Sequence, residues 1–97
     1  MPKGYWVGHV TITNPDGYKE YVAANAEPLR KYGGRILARG GKYETRSGTI
    51  DRQRHVVVEF DSFDQAKACY DSPEYQAAAK IRDANGIVDL VIVEGAD

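Results

Sequence analysis

The residue with the clearest chemical role in this sequence is Arg39, which ends the strand-like run "RILAR" and precedes Gly40 and Gly41. A guanidinium presents a fixed fork of donors, so it suits a carboxylate, either Glu44 or Glu59 or the anionic group of a ligand. The two glycines permit a positive φ or a β-bulge that would turn the arginine toward that partner. An ion pair with only a structural role is the alternative. A phosphate cradle is not expected, because no helix follows the glycines.

His9 and Glu59 are the candidate proton acceptors for such a site. His9 lies within a strand-like run beside apolar residues, and an imidazole titrates near neutral pH, so it can serve as a general base. A histidine that simply packs in the strand is the alternative. His55 begins another strand and is expected to be solvated. Because no further histidine or cysteine lies at ligand spacing, we expect neither a metal nor another cofactor.

Most of the tyrosines fall on predicted helices, where they would line the sheet face that the helices cover: Tyr18, Tyr21, Tyr32, Tyr70 and Tyr75. Tyr21 and Tyr75 are candidate walls or hydroxyl donors of a pocket that holds a small, partly apolar ligand between helices and sheet. The alternative is an aromatic-rich core whose hydroxyls reach the rim.

Length, charge and cysteine usage exclude several classes of protein. The 97 residues fit one domain spanning 1–97, and a net charge of -1 provides no broad positive field for nucleic acid. The N-terminal region lacks a signal-peptide core, and no segment has the roughly 18 apolar residues of a membrane span. The lone cysteine, Cys69, cannot form an internal disulfide and is expected to pack. We therefore expect a cytoplasmic protein with no nucleic-acid or membrane partner.

Hydrophobic periodicity and capping residues predict the elements that would position these side chains. Asn14 and Pro15 are typical of a helix start, Gly33 of a helix end, and Ser62 and Ser72 of two further helix starts. The predicted elements are a strand over 5–12, a helix from Pro15 to Tyr32, strands over 35–39 and 55–61, helical segments from Phe63 to Tyr70 and from Pro73 to Asn85, and a strand over 87–94.

The order βαββαβ is typical of the ferredoxin-like fold, an α+β architecture with a four-stranded antiparallel sheet in the order 4-1-3-2 and helices on one face. Val7, Val57, Val91 and Val93 occupy alternate strand positions, which leaves the second sheet face partly apolar. An exposed apolar face on a small protein indicates a partner surface, so we expect a homodimer that packs sheet to sheet.

The blocks "NPDGYKEYVAANAEPLRKYGGRILARGG", "VVVEFDS" and "YDSPEYQAAAKIRDANGIVDLVIVEG" together resemble the family called domain of unknown function 1330. The residues that match the family's pattern are Gly33, Gly34, Arg39, Gly40, Gly41, Glu59, Phe60, the block Ser72 to Tyr75, and Arg82. The resemblance implies the dimeric α+β barrel version of the ferredoxin-like fold, and it adds Arg82 to the candidate ligand-binding residues. Residues 42–54 are largely individual to this chain.

The resemblance implies no established activity, since the wider superfamily includes cofactor-free monooxygenases, small isomerases, haem-handling proteins and ligand-sensing domains. One hypothesis is catalysis without a metal, with Arg39 anchoring an anion, Glu59 or His9 accepting a proton, and tyrosines forming the walls. A second hypothesis is a noncatalytic, ligand-sensing dimer that uses the same cavity. A third is an ion-pair network with no ligand, which a cavity of only a few waters beside Arg39 would favour.

Overall fold

The computed structural model describes residues 2–96, which form four strands and three helices. The elements are β1 (Gly4–Ile12), α1 (Pro15–Lys31), β2 (Arg35–Arg39), β3 (Arg54–Phe60), α2 (Phe63–Asp71), α3 (Pro73–Ala84) and β4 (Gly86–Glu94). The predicted element order and most of the predicted boundaries are confirmed.

The four strands form one antiparallel sheet in the order β2-β3-β1-β4, which is the predicted order 4-1-3-2 read from the opposite edge. The long central strand β1 pairs with β3 on one side and with β4 on the other. The ferredoxin-like α+β fold predicted from the sequence is therefore confirmed.

Each helix begins at the predicted residue, where a side-chain oxygen accepts a hydrogen bond from a backbone amide of the first turn. The Gly17 amide donates to Asn14 Oδ1 at 3.5 Å, and the Gln65 amide donates to Ser62 Oγ at 3.0 Å. Ser72 ends α2 and begins α3, because its backbone is extended there and its Oγ accepts from the Tyr75 amide at 3.2 Å. Each cap satisfies an amide that the first helical turn leaves without a partner.

Alternate residues of β1 separate the two faces of the sheet. The covered face lies under the helices and carries Trp6, Gly8 and Val10 of β1, all buried. The Trp6 indole donates to the Ala66 carbonyl of α2 at 2.9 Å, which ties this face to the helices. The hydrophobic core lies here, between the covered face and the helices.

The opposite face, here called the open face, carries Tyr5, Val7 and His9 of β1 together with the odd-numbered residues of β3 and β4. Several of its apolar side chains are exposed, with Ile87 at 50%, Val91 at 59% and Val93 at 45%. The predicted partly apolar second face is therefore present.

A β-bulge in β2 determines the face on which Arg39 lies. Arg35 is opposite Glu59 on the open face, and the register shifts between Ile36 and Ala38, so that Arg39 is opposite Val56 on the covered face. In a regular strand Arg35 and Arg39 would share one face, because side chains alternate with a period of two. The prediction that local backbone geometry re-aims Arg39 is correct, but its location was wrong: the bulge lies at Leu37 and not at the glycines.

Gly40 and Gly41 have different roles from the expected bulge. Gly40 has a φ of 68°, a left-handed conformation that strongly favours glycine. A Cβ atom at Gly40 would also collide with the guanidinium of Arg54, whereas a Cβ atom at Gly41 would meet nothing within 4 Å. Gly40 therefore both turns the chain and makes room for a second arginine.

Candidate functional site

A cavity of about 50 Å³ lies between the covered face and the helices. It shares Val22, Ile36 and Arg39 with a wider open groove of about 350 Å³ between α1 and the edge strand β2. A water molecule requires about 10–15 Å³ measured in this way, so the cavity itself holds a few waters and the groove connects it with the exterior. By size alone, a cavity of a few waters beside Arg39 favours the ligand-free, ion-pair hypothesis. That hypothesis also requires ion pairs among the polar residues of the site, and the charged side chains that line the cavity bear on this second requirement.

Three arginines line the cavity: Arg39 from β2, Arg54 from β3 and Arg82 from α3. The other lining residues are mainly apolar, and those within residues 2–96 include no aspartate, glutamate or histidine. Over the same part of the chain, no carboxylate lies within ion-pair distance of Arg39 or Arg54. The cavity is therefore apolar and cationic at once.

Arg54 is half-buried at the start of β3, on the same face as Val56 and Val58. Its guanidinium carbon lies 5.5 Å from the centre of the Tyr18 ring, a cation–π contact. Its Nε atom has no exposed surface and donates to no acceptor in the described structure. A buried donor without an acceptor is unfavourable, so this atom has unused capacity for a hydrogen bond.

Arg82 anchors a chain of tyrosine hydroxyls behind the cavity. Its Nη1 donates to Tyr75 Oη at 3.1 Å and its Nη2 donates to Tyr70 Oη at 3.2 Å, while the hydroxyl oxygens of Tyr75 and Tyr21 lie 2.6 Å apart. Asp83 also accepts from Arg82 Nε at 3.0 Å. Arg82 is only 7% exposed, so most of its donors are used inside the protein. The chain runs from Arg82 through Tyr75 to Tyr21, which lines the cavity.

The protonation states of this chain follow from its burial. Burial raises the pKa of Tyr75 far above its ordinary value, and neighbouring Tyr21 raises it further. Burial alone would lower the pKa of Arg82, but hydrogen bonds to Asp83 and Tyr70 outweigh it, so the net pKa is raised. Tyr75 therefore stays a neutral phenol beside a permanent cation, which suits a hydroxyl donor and not a base.

The predicted site residues divide between two faces of the sheet. Arg39, Tyr21 and Arg82 line the cavity on the covered face, and Tyr75 lies directly behind Tyr21. His9 and Glu59 lie on the open face. The expectation that all of them meet on one side of the sheet was wrong, because odd-numbered residues of β1 and β3 point away from the helices.

Glu59 has partners other than the predicted Arg39. Its carboxylate accepts from Arg35 Nε at 2.9 Å and from the Tyr5 hydroxyl at 3.1 Å. The hydrogen bond from Arg35 lowers the pKa of Glu59, and the hydrogen bond to Glu59 raises the pKa of Tyr5. Glu59 is thus an ionised member of an ion-pair network on the open face.

Glu44, the other predicted partner of Arg39, lies in the segment between β2 and β3. It is exposed and pairs at 3.4 Å with Arg46, which is exposed as well. The structure therefore brings neither predicted carboxylate to Arg39.

His9 and His55 contact one another on the open face. They are opposite each other on β1 and β3, and their Nδ1 atoms lie 2.8 Å apart. The ring of Tyr43 packs edge-on against His55, with ring centres 4.5 Å apart. His55 was expected to be solvated, and this was wrong, since its ring is held between His9 and Tyr43.

Arg54 is the cavity residue that sequence reasoning missed, although strand alternation carries a signal for it. Positions 54, 56, 58 and 60 share a face, so the apolar residues Val56, Val58 and Phe60 indicate that Arg54 also faces the helices.

Cys69 packs in α2 as predicted and is fully buried. Its Sγ donates to the Pro28 carbonyl of α1 at 3.6 Å. Burial, and to a lesser extent the charge of Glu74, raise the pKa of the thiol to about 12. The thiol is therefore not an activated nucleophile.

Two further kinds of feature are absent from residues 2–96. No group of three or more histidine, cysteine, aspartate or glutamate side chains is arranged to hold a metal ion. None of the helices described is long and apolar enough to span a bilayer.

Solved structures share this fold at low sequence identity. A protein of unknown function from Rhodopseudomonas palustris is 16% identical, with a TM-score of 0.79 over 99% of this chain and 84% of that one. A cofactor-independent oxygenase from Streptomyces nogalater is 10% identical, with a TM-score of 0.64 over 100% of this chain and 96% of the other. A dimeric ferredoxin-like protein of unknown function from Thermobifida fusca is 19% identical, with a TM-score of 0.57 over 99% and 92%.

At these identities the likeness establishes the fold and leaves the activity open. None of the curated proteins compared with the sequence matches it. The sequence profile of one family, however, matches residues 3–96, which is nearly the whole chain. The protein therefore belongs to the family described as domain of unknown function (DUF1330).

Proposed function

We propose that this protein binds a small organic molecule, without transforming it, in the cavity between the covered face and the helices. The observation that carries the proposal is the convergence of Arg39, Arg54 and Arg82 on a cavity whose lining, within residues 2–96, has no acidic side chain. Arg39 and Arg54 have no carboxylate partner among these residues, whereas Arg35 on the open face pairs with two.

Binding without chemistry is favoured over catalysis because the cavity has no suitable base. Within the described residues its lining includes no histidine or carboxylate, and the tyrosine behind it has a raised pKa. His9 and Glu59, the candidate proton acceptors, lie on the other side of the sheet. The fold shared with a cofactor-independent oxygenase does not outweigh this arrangement, since one fold hosts many functions.

The proposal includes a homodimer formed through the open face. Ile87, Val91 and Val93 expose a row of apolar side chains there, beside Val7 and Val57 of the neighbouring strands. A row of this kind on so small a protein is characteristic of a contact surface. The Thermobifida fusca protein of the same fold is dimeric, which supports a dimer here without indicating the surface that forms it.

Ligand-observed NMR with a mixed set of neutral and anionic fragments tests the proposal. At least one fragment should bind the wild-type protein and lose binding in Gly8→Val, because Gly8 lines the cavity and a branched side chain there would fill it. Gly41→Val is the matched control, since Gly41 has no neighbour within 4 Å of an added Cβ. Absence of any binding fragment, or equal binding by Gly8→Val, would contradict the proposal.

A further inference from the structure

We infer that the ligand is the monoanion of a small apolar carboxylic acid, with its carboxylate between Arg39 and Arg54 and its tail over Gly8. This inference rests on the proposed binding function and assigns the chemical class of the ligand. Its basis is the distribution of charge, hydrogen-bond donors and apolar surface along the cavity.

The cationic end of the cavity lies where β2 ends and β3 begins. The guanidinium of Arg54 packs against Gly40, the residue that follows Arg39, and the Gly40 amide donates to the His55 carbonyl at 3.0 Å. Both arginines therefore line the same end, and residues 2–96 supply neither with a carboxylate partner. The two arginines bring two positive charges to this end of the cavity, which favours an anionic group there.

The donors at this end match a carboxylate better than a neutral group. Arg54 Nε is buried and makes no hydrogen bond within the described structure. An arginine can only donate, so the Tyr75 oxygen accepts from Arg82, while either tyrosine can be the donor of the hydrogen bond between Tyr75 and Tyr21. When Tyr75 is the donor, the hydroxyl proton of Tyr21 is free to donate into the cavity. A carboxylate has two oxygens that accept from several such donors.

Apart from Asn25, Arg82 and two tyrosines, the rest of the cavity lining is apolar, which favours a ligand with one charge. Gly8 lies on its sheet side between Val56 of β3 and Leu90 of β4, and Trp6 and Val10 flank it on β1. A second carboxylate placed over this surface would lose its hydration without gaining a partner. Dicarboxylates and inorganic phosphate are therefore poorer matches than a monocarboxylate.

The absence of a side chain at Gly8 sets the length of the tail. A Cβ atom built at Gly8 meets only the Leu90 side chain, at 3.6 Å. An alanine at this position would therefore not clash with the protein, but its methyl group would take up space in the cavity. The cavity volume of about 50 Å³ corresponds to a tail of a few carbon atoms, with the groove at Arg39 as the entrance. Gly8 is on these grounds a residue that determines specificity.

Titration of the isotope-labelled protein with butyrate, followed by two-dimensional NMR, tests the inference. Acetate, the neutral isostere butyramide, the dicarboxylate succinate and inorganic phosphate are the comparison ligands. Butyrate should bind at least about tenfold more tightly than butyramide, since hydrogen bonds to charged groups are the stronger ones. Succinate and phosphate should bind more weakly than butyrate.

Two variants separate the charged end from the apolar end. Arg54→Gln should weaken acetate and butyrate binding alike, by about tenfold, whereas Arg46→Gln, its control in the exposed loop, should leave both unchanged. Gly8→Ala should weaken butyrate and spare acetate, whereas Gly41→Ala should alter neither.

The results also distinguish this inference from the proposed function. If butyramide or the neutral fragments bind as tightly as butyrate and Gly8→Val abolishes that binding, the cavity is a ligand site but the carboxylate assignment is wrong. Tighter binding of succinate or phosphate than of butyrate would also overturn the assignment. If no acid and no fragment binds, the inference and the proposed function fail together.

Discussion

The two faces of the sheet use charged residues in opposite ways. On the open face Arg35 pairs with both Glu59 and Asp61, and Glu59 also accepts from Tyr5. On the covered face the exposed Arg39 and the half-buried Arg54 have no carboxylate among residues 2–96, and the Nε atom of Arg54 is buried without an acceptor. The same residue type therefore closes a network on one face and is left available on the other.

This difference separates an arginine that forms ion pairs within the chain, Arg35, from two that have no carboxylate partner among residues 2–96, Arg39 and Arg54. The charged residues of the open-face network find their partners within one chain, so a structural role accounts for them without a ligand. Under the proposed function, a ligand supplies the acceptors that Arg39 and Arg54 lack within the described residues. The apolar part of the open face is likewise incomplete, but what it lacks is a hydrophobic surface and not a charge.

Disrupting the proposed dimer should give the largest effect. Val91→Lys places a charge among the exposed apolar side chains of β4 on the open face, where Val91 is 59% exposed in the single chain. The folded protomer should tolerate it, but the dissociation constant of the dimer should rise at least about 100-fold, because burying an unpaired charge is unfavourable. Light scattering across a concentration series measures this change. Ala77→Lys, on an exposed position of α3, is the control, and an unchanged dimer in Val91→Lys would refute the interface.

Removal of one tyrosine hydroxyl from each face compares the two networks directly. Tyr75→Phe removes the acceptor of Arg82 Nη1 and the hydrogen-bond partner of the Tyr21 hydroxyl, and it should lower the free energy of unfolding by about 1–3 kcal/mol. Tyr5→Phe removes a hydroxyl that bonds to Glu59 at the half-exposed open face and should cost much less. Urea denaturation gives both values, and equal losses would contradict the distinction between the faces.

Gly8→Ala should stabilise the protein while impairing its proposed function. Alanine loses less conformational entropy on folding than glycine and fits without a clash, so the free energy of unfolding should rise by about 0.5–1 kcal/mol. Gly40→Ala should act in the opposite direction, since it strains a positive φ and displaces Arg54. Denaturation curves for the two variants should shift to opposite sides of the wild type, and a shift to the same side would argue against the cavity geometry.

The open-face network should make the stability of the folded protein depend on pH in the acid range, and this is the smallest of the expected effects. Its hydrogen bond from Arg35 lowers the pKa of Glu59 in the folded protein below the ordinary value of 4.5. The stabilisation is therefore fully present above about pH 4.5 and is lost as the pH falls through the lowered folded value. Wild type should exceed Glu59→Gln in stability at pH 7, and the difference should vanish in strong acid. A difference that grew on acidification would reverse the assigned sign.

Much of the fold follows from local sequence rules. Asn14, Ser62 and Ser72 begin their helices because each oxygen reaches an amide three residues ahead. Strand alternation also places Trp6 and Val58 in the core and His9 and Glu59 opposite them. The same rule, applied to Arg54, would have placed it at the cavity.

The composition of the site was harder to predict, because it depends on a register shift that no residue type marks. Leu37 lies at the bulge in β2, and leucine has no special preference for such a position. A regular β2 would have put Arg39 beside Arg35, within reach of the acidic open face. The Tyr43–His55 contact is equally unpredictable, since it depends on how the long segment between β2 and β3 folds back.

The bulge at Leu37 also bears on how such a site could arise or disappear during evolution. A substitution changes one side chain on one face of a strand. The loss or gain of one residue moves every following side chain of that strand to the opposite face of the sheet. Deletion of Leu37 would move the Arg39 side chain out of the cavity, although no residue that lines the cavity would be substituted. Within this family, a ligand-binding and a ligand-free lineage could therefore differ by a single codon inserted in an edge strand.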